Sequence, residues 1–234
     1  MVDLSRRLMT IASFVKPGSR IADIGTDHGF LPIWLMQNGV IRHAVAMDIR
    51  KGPLGRAEEH VEECGLTEVI ETRLSDGLEK LQAGEADTVI IAGMGGPLIL
   101  EILERGMGVV PSIERFVLSP QSDWNGFRKG IRKMGFVQQR EEMIFEDGKY
   151  YLITEAQYHP EDAARMAAEE IEDRFGPFLL AEKHPVLKSY LEWQKGILNG
   201  ILHKLTESKT ADAEKRKAEV EMELSAVNTA LERL

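Results

Sequence analysis

One cysteine, Cys64, is all the chain has. An internal disulfide is therefore excluded, and a reducing compartment, the cytoplasm, is the expected setting. Long apolar runs are missing as well. No stretch of about 18 uncharged apolar residues occurs, and Asp3, Arg6 and Arg7 interrupt the first residues, so neither a membrane span nor a secretory leader is expected. Nor is there a surplus of positive charge. Lys and Arg number 29 against 38 Asp and Glu, a net charge of −9, and such a field repels nucleic acid at long range. Any nucleic-acid contact must use local patches. What is present is 234 residues of 43% hydrophobic content, enough for one domain of ordinary size with an appendage.

The dinucleotide fingerprint G-x-G-x-x-G is also absent from the turn where it would belong. Residues 20–30, RIADIGTDHGF, read as a buried strand that enters a glycine turn and then a helix. Ile21, Ala22 and Ile24 are apolar, Gly25 and Gly29 mark the turn, and helical spacing begins at Phe30. A strand, a glycine turn and a helix N-terminus make the first βα unit of a Rossmann-like sheet and a nucleotide-sized cradle. Asp23 before the first glycine and Asp27 inside the turn would repel a pyrophosphate. They suit a ligand that carries an ammonium or sulfonium, such as S-adenosylmethionine. Turn chemistry alone is the competing reading.

Along the chain, Leu4, Leu8, Ile11 and Val15 share a helical face before Lys16-Pro17-Gly18, predicting an N-terminal lid or brace. Residues 43–47 form a short strand ending in Asp48, where a carboxylate grips a ribose diol. A helix-cap role for Asp48 is the weaker reading, because residues 49–53 still precede the predicted helix 54–64. The third strand, 69–74, runs into Ser75-Asp76-Gly77-Leu78. Asp76 there either sits beside the nucleotide's adenine or caps a helix over 78–81. Residues 88–92 are a continuous apolar run that breaks into Gly93-Met94-Gly95-Gly96-Pro97, glycines that let backbone approach a ligand. A helix over 98–103, strand five over 115–118 and Ser119-Pro120-Gln121 follow. The helix 124–134 carries Arg128, Lys129, Arg132 and Lys133, either a solvated surface or an RNA-backbone patch.

Two β-rich runs, 136–145 and 150–157, flank the turn Glu146-Asp147-Gly148-Lys149. Final strands joined by a hairpin end methyltransferase sheets and not dehydrogenase sheets. The first domain therefore spans 1–159. Over 160–234 the pattern becomes helical, with Leu187, Leu191, Leu198, Ile201 and Leu205, then Val220, Leu224, Val227, Leu231 and Leu234, at threes and fours or their sums. A short linker, 206–212, predicts an antiparallel helical pair, with an intermolecular coiled coil as the competing arrangement.

With DIGTDHGFLP at 23–32, Asp48 after strand two, SDGL at 75–78 and AGMGG at 92–96, the chain resembles the bacterial TrmK family over nearly its whole length. These are tRNA adenine-N1 methyltransferases acting on adenosine 22. The resemblance implies a class I Rossmann-like methyltransferase sheet that uses S-adenosyl-L-methionine, without a metal, and a C-terminal antiparallel coiled-coil pair that helps engage tRNA. A monomer is implied, with a homodimer through the helical tail left open. Asp23, Gly25, Asp27 and His28 would hold the methionine end, Asp48 the ribose, and Asp76 with Gly77 the adenine, while Gly93, Met94 and Gly95 complete the cofactor set. Phe30, Ser119 and Gln121 would face the incoming base. Relatives often have Tyr where this chain has Phe30, which keeps an aromatic face for stacking. Gly93-Met94-Gly95-Gly96 stands where enzymes that methylate exocyclic adenine nitrogens carry Asn/Asp-Pro-Pro-aromatic, so a ring nitrogen is the expected target. Adenine N1 already has an in-plane lone pair and needs no general base. Asp27, Phe30 and Gln121 form the expected catalytic set, with Asp27 stabilising charge on the base or merely shaping the turn. A small-molecule methyltransferase and a non-catalytic interaction module are the other readings.

Overall fold

The computed structural model describes residues 2–206 and 210–234, so residues 207–209 of the predicted linker lie outside the described residues. The chain divides into two compact units, Met1–Ala167 and Ala168–Leu234.

Seven strands build the first unit: β1 (Ser19–Ile24), β2 (Ile41–Asp48), β3 (Ile70–Leu74), β4 (Thr88–Met94), β5 (Arg115–Pro120), β6 (Phe136–Glu146) and β7 (Lys149–Tyr158). Their order is β3-β2-β1-β4-β5-β7-β6. Strands β1 to β5 pair in parallel, whereas β7 runs antiparallel to both β5 and β6. The helices of this unit are α1 (Arg6–Ala12), α2 (Phe30–Gln37), α3 (Lys51–Glu63), α4 (Gly96–Arg105), α5 (Trp124–Lys133) and α6 (Pro160–Ala163). Parallel strands need cover on both faces, and the alternation supplies it. Ala22, Ile24, Val45, Met47, Val89 and Ile91 point to one face, where Ile99, Ile102 and Leu103 of α4 and Phe127 and Ile131 of α5 meet them. Ile21, Ala44, Ala46 and Ile90 point to the other, against Ile11 of α1, Leu31 and Leu35 of α2 and Val61 of α3. The chain winds outward from β1 through β2 to β3, then returns to β4 on β1's other side. A crevice therefore opens beyond the carboxyl ends of β1 and β4, where α/β sheets place ligands.

The β6–β7 turn has both central residues at positive φ, Asp147 at 49° and Gly148 at 75°, the geometry that matches strand twist in a two-residue hairpin. The cation cluster on α5 differs from the expected surface array. Arg128 is fully buried, and its Nε donates to Glu141 Oε1 on β6 at 2.6 Å. A helix wedged between a sheet and solvent turns one of its four cations inward, and a buried guanidinium needs a carboxylate. Helix α6 packs against β6 and belongs to the sheet unit, so this unit extends past residue 159.

In the second unit, short helices α7 (Glu170–Phe175) and α8 (Pro177–Ala181) precede α9 (Pro185–Thr206) and α10 (Ala211–Arg233). The two long helices fold back on each other within one chain, burying Leu187, Leu191 and Leu198 of α9 and Val220, Val227 and Ala230 of α10. Trp193 and Ile197 of α9 and Met222 of α10 stay exposed.

Candidate active site

At the crevice lies a cavity of about 740 Å³, of a size that takes a nucleoside-sized ligand. Its floor is the turn after β1. Gly25 N and Thr26 N both donate to Met47 O, at 2.8 and 2.9 Å, which ties the turn to β2. Gly25 has φ 77°, and a Cβ there would collide with Met94 Cε, so a side chain is excluded both by backbone and by space. On the opposite wall Gly93, φ 82°, sits at the register shift between the Ala92–Ser119 and Met94–Pro120 pairs of β4 and β5 and turns bare backbone toward the cavity.

Three aspartates stand at successive strand tips. Asp23 on β1 is buried, and burial pushes its carboxyl up to about 6; the Thr26 hydroxyl opposes this and the charge of Asp48 adds to it. Asp48 on β2 is also buried, and its Oδ1 accepts from Arg50 N at 2.6 Å. This revises the expected spacer. Helix α3 begins at Lys51, because Gly52 and Pro53 fit a first helical turn that leaves its N–H groups unpaired anyway, and Asp48 does hold the backbone at that helix's start. Asp48 lines the cavity nonetheless.

Asp76 lies beyond β3, and no helix forms over 78–81; Ser75 Oγ, not Asp76, holds that turn by donating to Gly77 O and accepting from Lys80 N. Both Asp76 oxygens accept from Arg105 of α4, at 2.6 and 3.0 Å. The guanidinium holds the Asp76 carboxyl below the usual range, so a cofactor adenine would meet an oriented, charged acceptor. Gly77 lines the cavity beside it.

Asp27 reaches the rim of the cavity. It is exposed, its Oδ1 accepts from Arg56 Nη2 of α3 at 3.1 Å, and His28 Nε2 lies 3.5 Å away. A solvated carboxylate already paired with a guanidinium exerts little field on a reacting base. Turn and rim architecture is the role its contacts support.

Phe30 lines the cavity within a triangle of three near-parallel rings, whose other two, His28 and His60, are 5.6 Å apart. Its centroid is 5.2 Å from His28 and 5.1 Å from His60, and His60 Nδ1 lies 2.8 Å from His28 O. His60 escaped the sequence reading, since nothing in EEHVEE marks one helical histidine as aimed at a glycine turn 32 residues earlier. Gln121 lines the cavity after β5, with its backbone N donating to Met94 O at 2.8 Å. Two residues fall outside the wall. Ser119 is buried within β5, and Gly95 packs against Ser122, whose Oγ would lie 3.1 Å from a Cβ placed there; each is one residue too deep, or past the bulge, to reach the cavity.

Arg7 of α1 is a charged cavity residue that the sequence does not mark. In sequence it stands only as a charge breaking an apolar leader, yet it lines the cavity, and its Nη1 is buried without a hydrogen-bond partner among the described residues. Leaving such a donor unmatched costs about 1–3 kcal/mol, more for a charged group. The donor set fits S-adenosyl-L-methionine: a buried acidic group for a cationic centre, an acceptor at the ribose tip, another at the adenine tip and bare glycine backbone opposite.

A separate cleft of about 370 Å³, lined by Lys129, Arg132 and Lys133 with Pro160 and Ala163, lies at the far end of α5 from the crevice.

A protein-family model described as a methyltransferase domain matches residues 4–154. The chain is 38% identical to the tRNA (adenine(22)-N(1))-methyltransferase of Bacillus subtilis (strain 168) over 187 residues, 78% of this chain and 77% of that protein. The crystal structure of the B. subtilis m1A22 tRNA methyltransferase TrmK superposes with a TM-score of 0.86 at 31% identity, covering 99% of this chain and 100% of that one. M. capricolum TrmK in complex with S-adenosyl-homocysteine, its natural cofactor product, superposes at 0.83 with 31% identity and 98% coverage of both chains. Sheet order, cavity and relatedness over the full chain agree, and the chain belongs to the TrmK family of tRNA (adenine(22)-N(1))-methyltransferases.

Proposed function

We propose that this chain transfers a methyl group from S-adenosyl-L-methionine to N1 of adenosine 22 in tRNA. The observation that carries the reading is the line of Asp23, Asp48 and Asp76 along one cavity at the tips of β1, β2 and β3, an arrangement matched to an elongated, cationic nucleoside. The cofactor supplies an electrophilic methyl group on a sulfonium. The chain's task is placement. Adenine N1 attacks with its own lone pair, so holding the base in line is the main demand, worth roughly 7–11 kcal/mol of barrier. An adenine paired or stacked in RNA must first be turned out. In this reading the Phe30 ring receives its face, and Gln121 reads its N6/N7 edge, the pairing that leaves N1 free to face the methyl.

The bare backbone of Gly93 supports a ring-nitrogen target, since an exocyclic amine calls for carbonyl acceptors from an Asn/Asp-Pro-Pro-aromatic turn. The helical unit orients the tRNA, and Lys129, Arg132 and Lys133 meet its phosphates; replacing Lys129 and Lys133 with Ala should lower the salt slope of tRNA binding by about one or more. The enzyme acts as a monomer in the cytoplasm, where its substrate is; the pairing of α9 with α10 inside one chain, which buries Leu187, Leu191, Leu198, Val220 and Val227, supports the monomer.

The test is methylation of an unmodified tRNA transcript by purified protein and S-adenosyl-L-methionine, read by primer extension, which N1-methyladenine arrests. A stop at position 22 that vanishes in an A22→G transcript is expected. Cofactor binding with no methyl incorporation into any tRNA would overturn the reading in favour of a small-molecule substrate.

A further inference from the structure

We infer that Arg7 is the anchor for the carboxylate of the cofactor's methionine end, an assignment that rests on the cavity's use of S-adenosyl-L-methionine. That end of the molecule carries an ammonium and a carboxylate side by side. Acidic groups serve the first and repel the second, so a site built of aspartates has to provide a cation at one defined place. Three cavity residues can carry positive charge: Arg7, His28 and Arg50. Arg50 follows the β2 tip, and its Nε lies 3.6 Å from Asp48 Oδ1, which places it at the ribose. His28 directs Nε2 to Asp27 Oδ1, 3.5 Å away at the rim. Arg7 is on the other side, over the end of β4: a Cβ built on Gly93 would lie 4.0 Å from Arg7 Nη1 and 4.0 Å from Gln121 Nε2. The glycine backbone at that strand end is where the methionine portion lies when the ribose and adenine occupy the β2 and β3 tips.

The guanidinium is held ready. The backbone N–H of Arg7 donates to Glu146 Oε2 at 3.1 Å, and its Cζ stands 5.4 Å from the ring centroid of Tyr151. Its Nη1 is buried without a protein acceptor among the described residues, in a cavity where Asp48 is committed to Arg50, Asp76 to Arg105 and Asp27 to Arg56. A planar carboxylate is the acceptor a guanidinium fork fits best.

Decarboxylated S-adenosylmethionine keeps the sulfonium, the amine and the nucleoside and lacks only the carboxylate, so it isolates the contact. Calorimetry with the full chain should give wild-type affinity for S-adenosylmethionine about 10- to 100-fold above that for the decarboxylated compound, the range of a charge-assisted pair. Arg7→Ala should lose that preference, binding the intact cofactor about 10- to 100-fold more weakly and the decarboxylated one within about twofold of wild type. Arg7→Lys should recover part of the preference, and the melting temperatures of both variants without ligand report that the fold is kept. Equal losses for both compounds would overturn the assignment as a general packing effect. Unchanged cofactor affinity with weakened tRNA binding would overturn it in favour of a phosphate of the target nucleotide. Wild-type protein binding neither compound would overturn the methyltransferase reading itself, and this one with it.

Discussion

Lowering the pH from 7 to 5 should weaken cofactor binding about tenfold, because only the ionised form of Asp23 attracts a cationic ligand. Its carboxyl is raised from 3.8 to about 6, chiefly by burial, with the Thr26 hydroxyl opposing and Asp48 adding to the rise. At pH 7 about nine-tenths of the group is ionised and at pH 5 about one-tenth, a ninefold to tenfold change in competent protein, or about 1.4 kcal/mol. Binding at pH 6 should release about half a proton per cofactor, since half the molecules begin protonated. Stability of the cofactor-free protein has the opposite slope. A folded-state value above the unfolded one gives a contribution fully present below about 3.8 and lost as pH rises through about 6, leaving a cost of about 3 kcal/mol at pH 7. Asp23→Asn should then flatten the affinity profile, weaken binding at pH 7 and raise the cofactor-free melting temperature by up to roughly 6–12 °C. Calorimetry in two buffers of different ionisation enthalpy, across pH 5–8, reads affinity and proton release together. Affinity constant over pH 5–7 without proton release, or an Asn variant that binds as wild type does at pH 7, would refute the argument.

Asp48→Ala should cost about 1.5–3 kcal/mol per ribose hydrogen bond in cofactor affinity and leave tRNA affinity nearly unchanged, as calorimetry and filter binding would show. Asp27→Asn should keep the single-turnover methyl-transfer rate within about threefold of wild type, given its exposure and its pairing with Arg56; a hundredfold loss would restore it to the chemistry. Glu141→Ala removes the buried carboxylate that accepts from Arg128 Nε and should destabilise the sheet unit by about 3–5 kcal/mol in urea unfolding. A chain ending at Ala167 should fold and bind cofactor, yet methylate tRNA slowly; full activity would show that the helical unit serves another purpose.

The sheet and most of the cofactor site were legible because a parallel strand writes itself as a run of apolar residues, and its ligand-facing tip is the next residue or two. Asp48 and Asp76 are such positions, Asp23 is one residue short of the end of its strand, and each lines the cavity. Orientation about a helix was less legible. Four cations on α5 look alike in sequence, and only the position of β6 decides that Arg128 turns inward. The start of α3 was set too late because Gly52 and Pro53 read as a break, although the first turn of a helix admits both. Helices α6, α7 and α8, of 4, 6 and 5 residues, are too short to show a period. Arg7 and His60 were invisible for a different reason: what makes them site residues is a partner far away along the chain, Glu146 and His28 respectively.

That distance has a consequence during synthesis. The wall of the cavity formed by α1 is fastened to the edge hairpin, through Arg7 N to Glu146 Oε2 and through Arg140, which lies over the ring of Phe14 and donates to Ser13 O. The first of these contacts joins residues 139 positions apart. A ribosome adding roughly 5–20 residues per second needs about 7–28 s to make that span. By the later part of that interval β1, β2 and β3 and their aspartates have been made, while the strap that completes the pocket still has nothing to fasten to. The nascent chain therefore acquires the parts of its cofactor site in the order of translation but closes it only when the final hairpin pairs, so an adenosyl ligand can reward late, complete folding and not an early half-sheet.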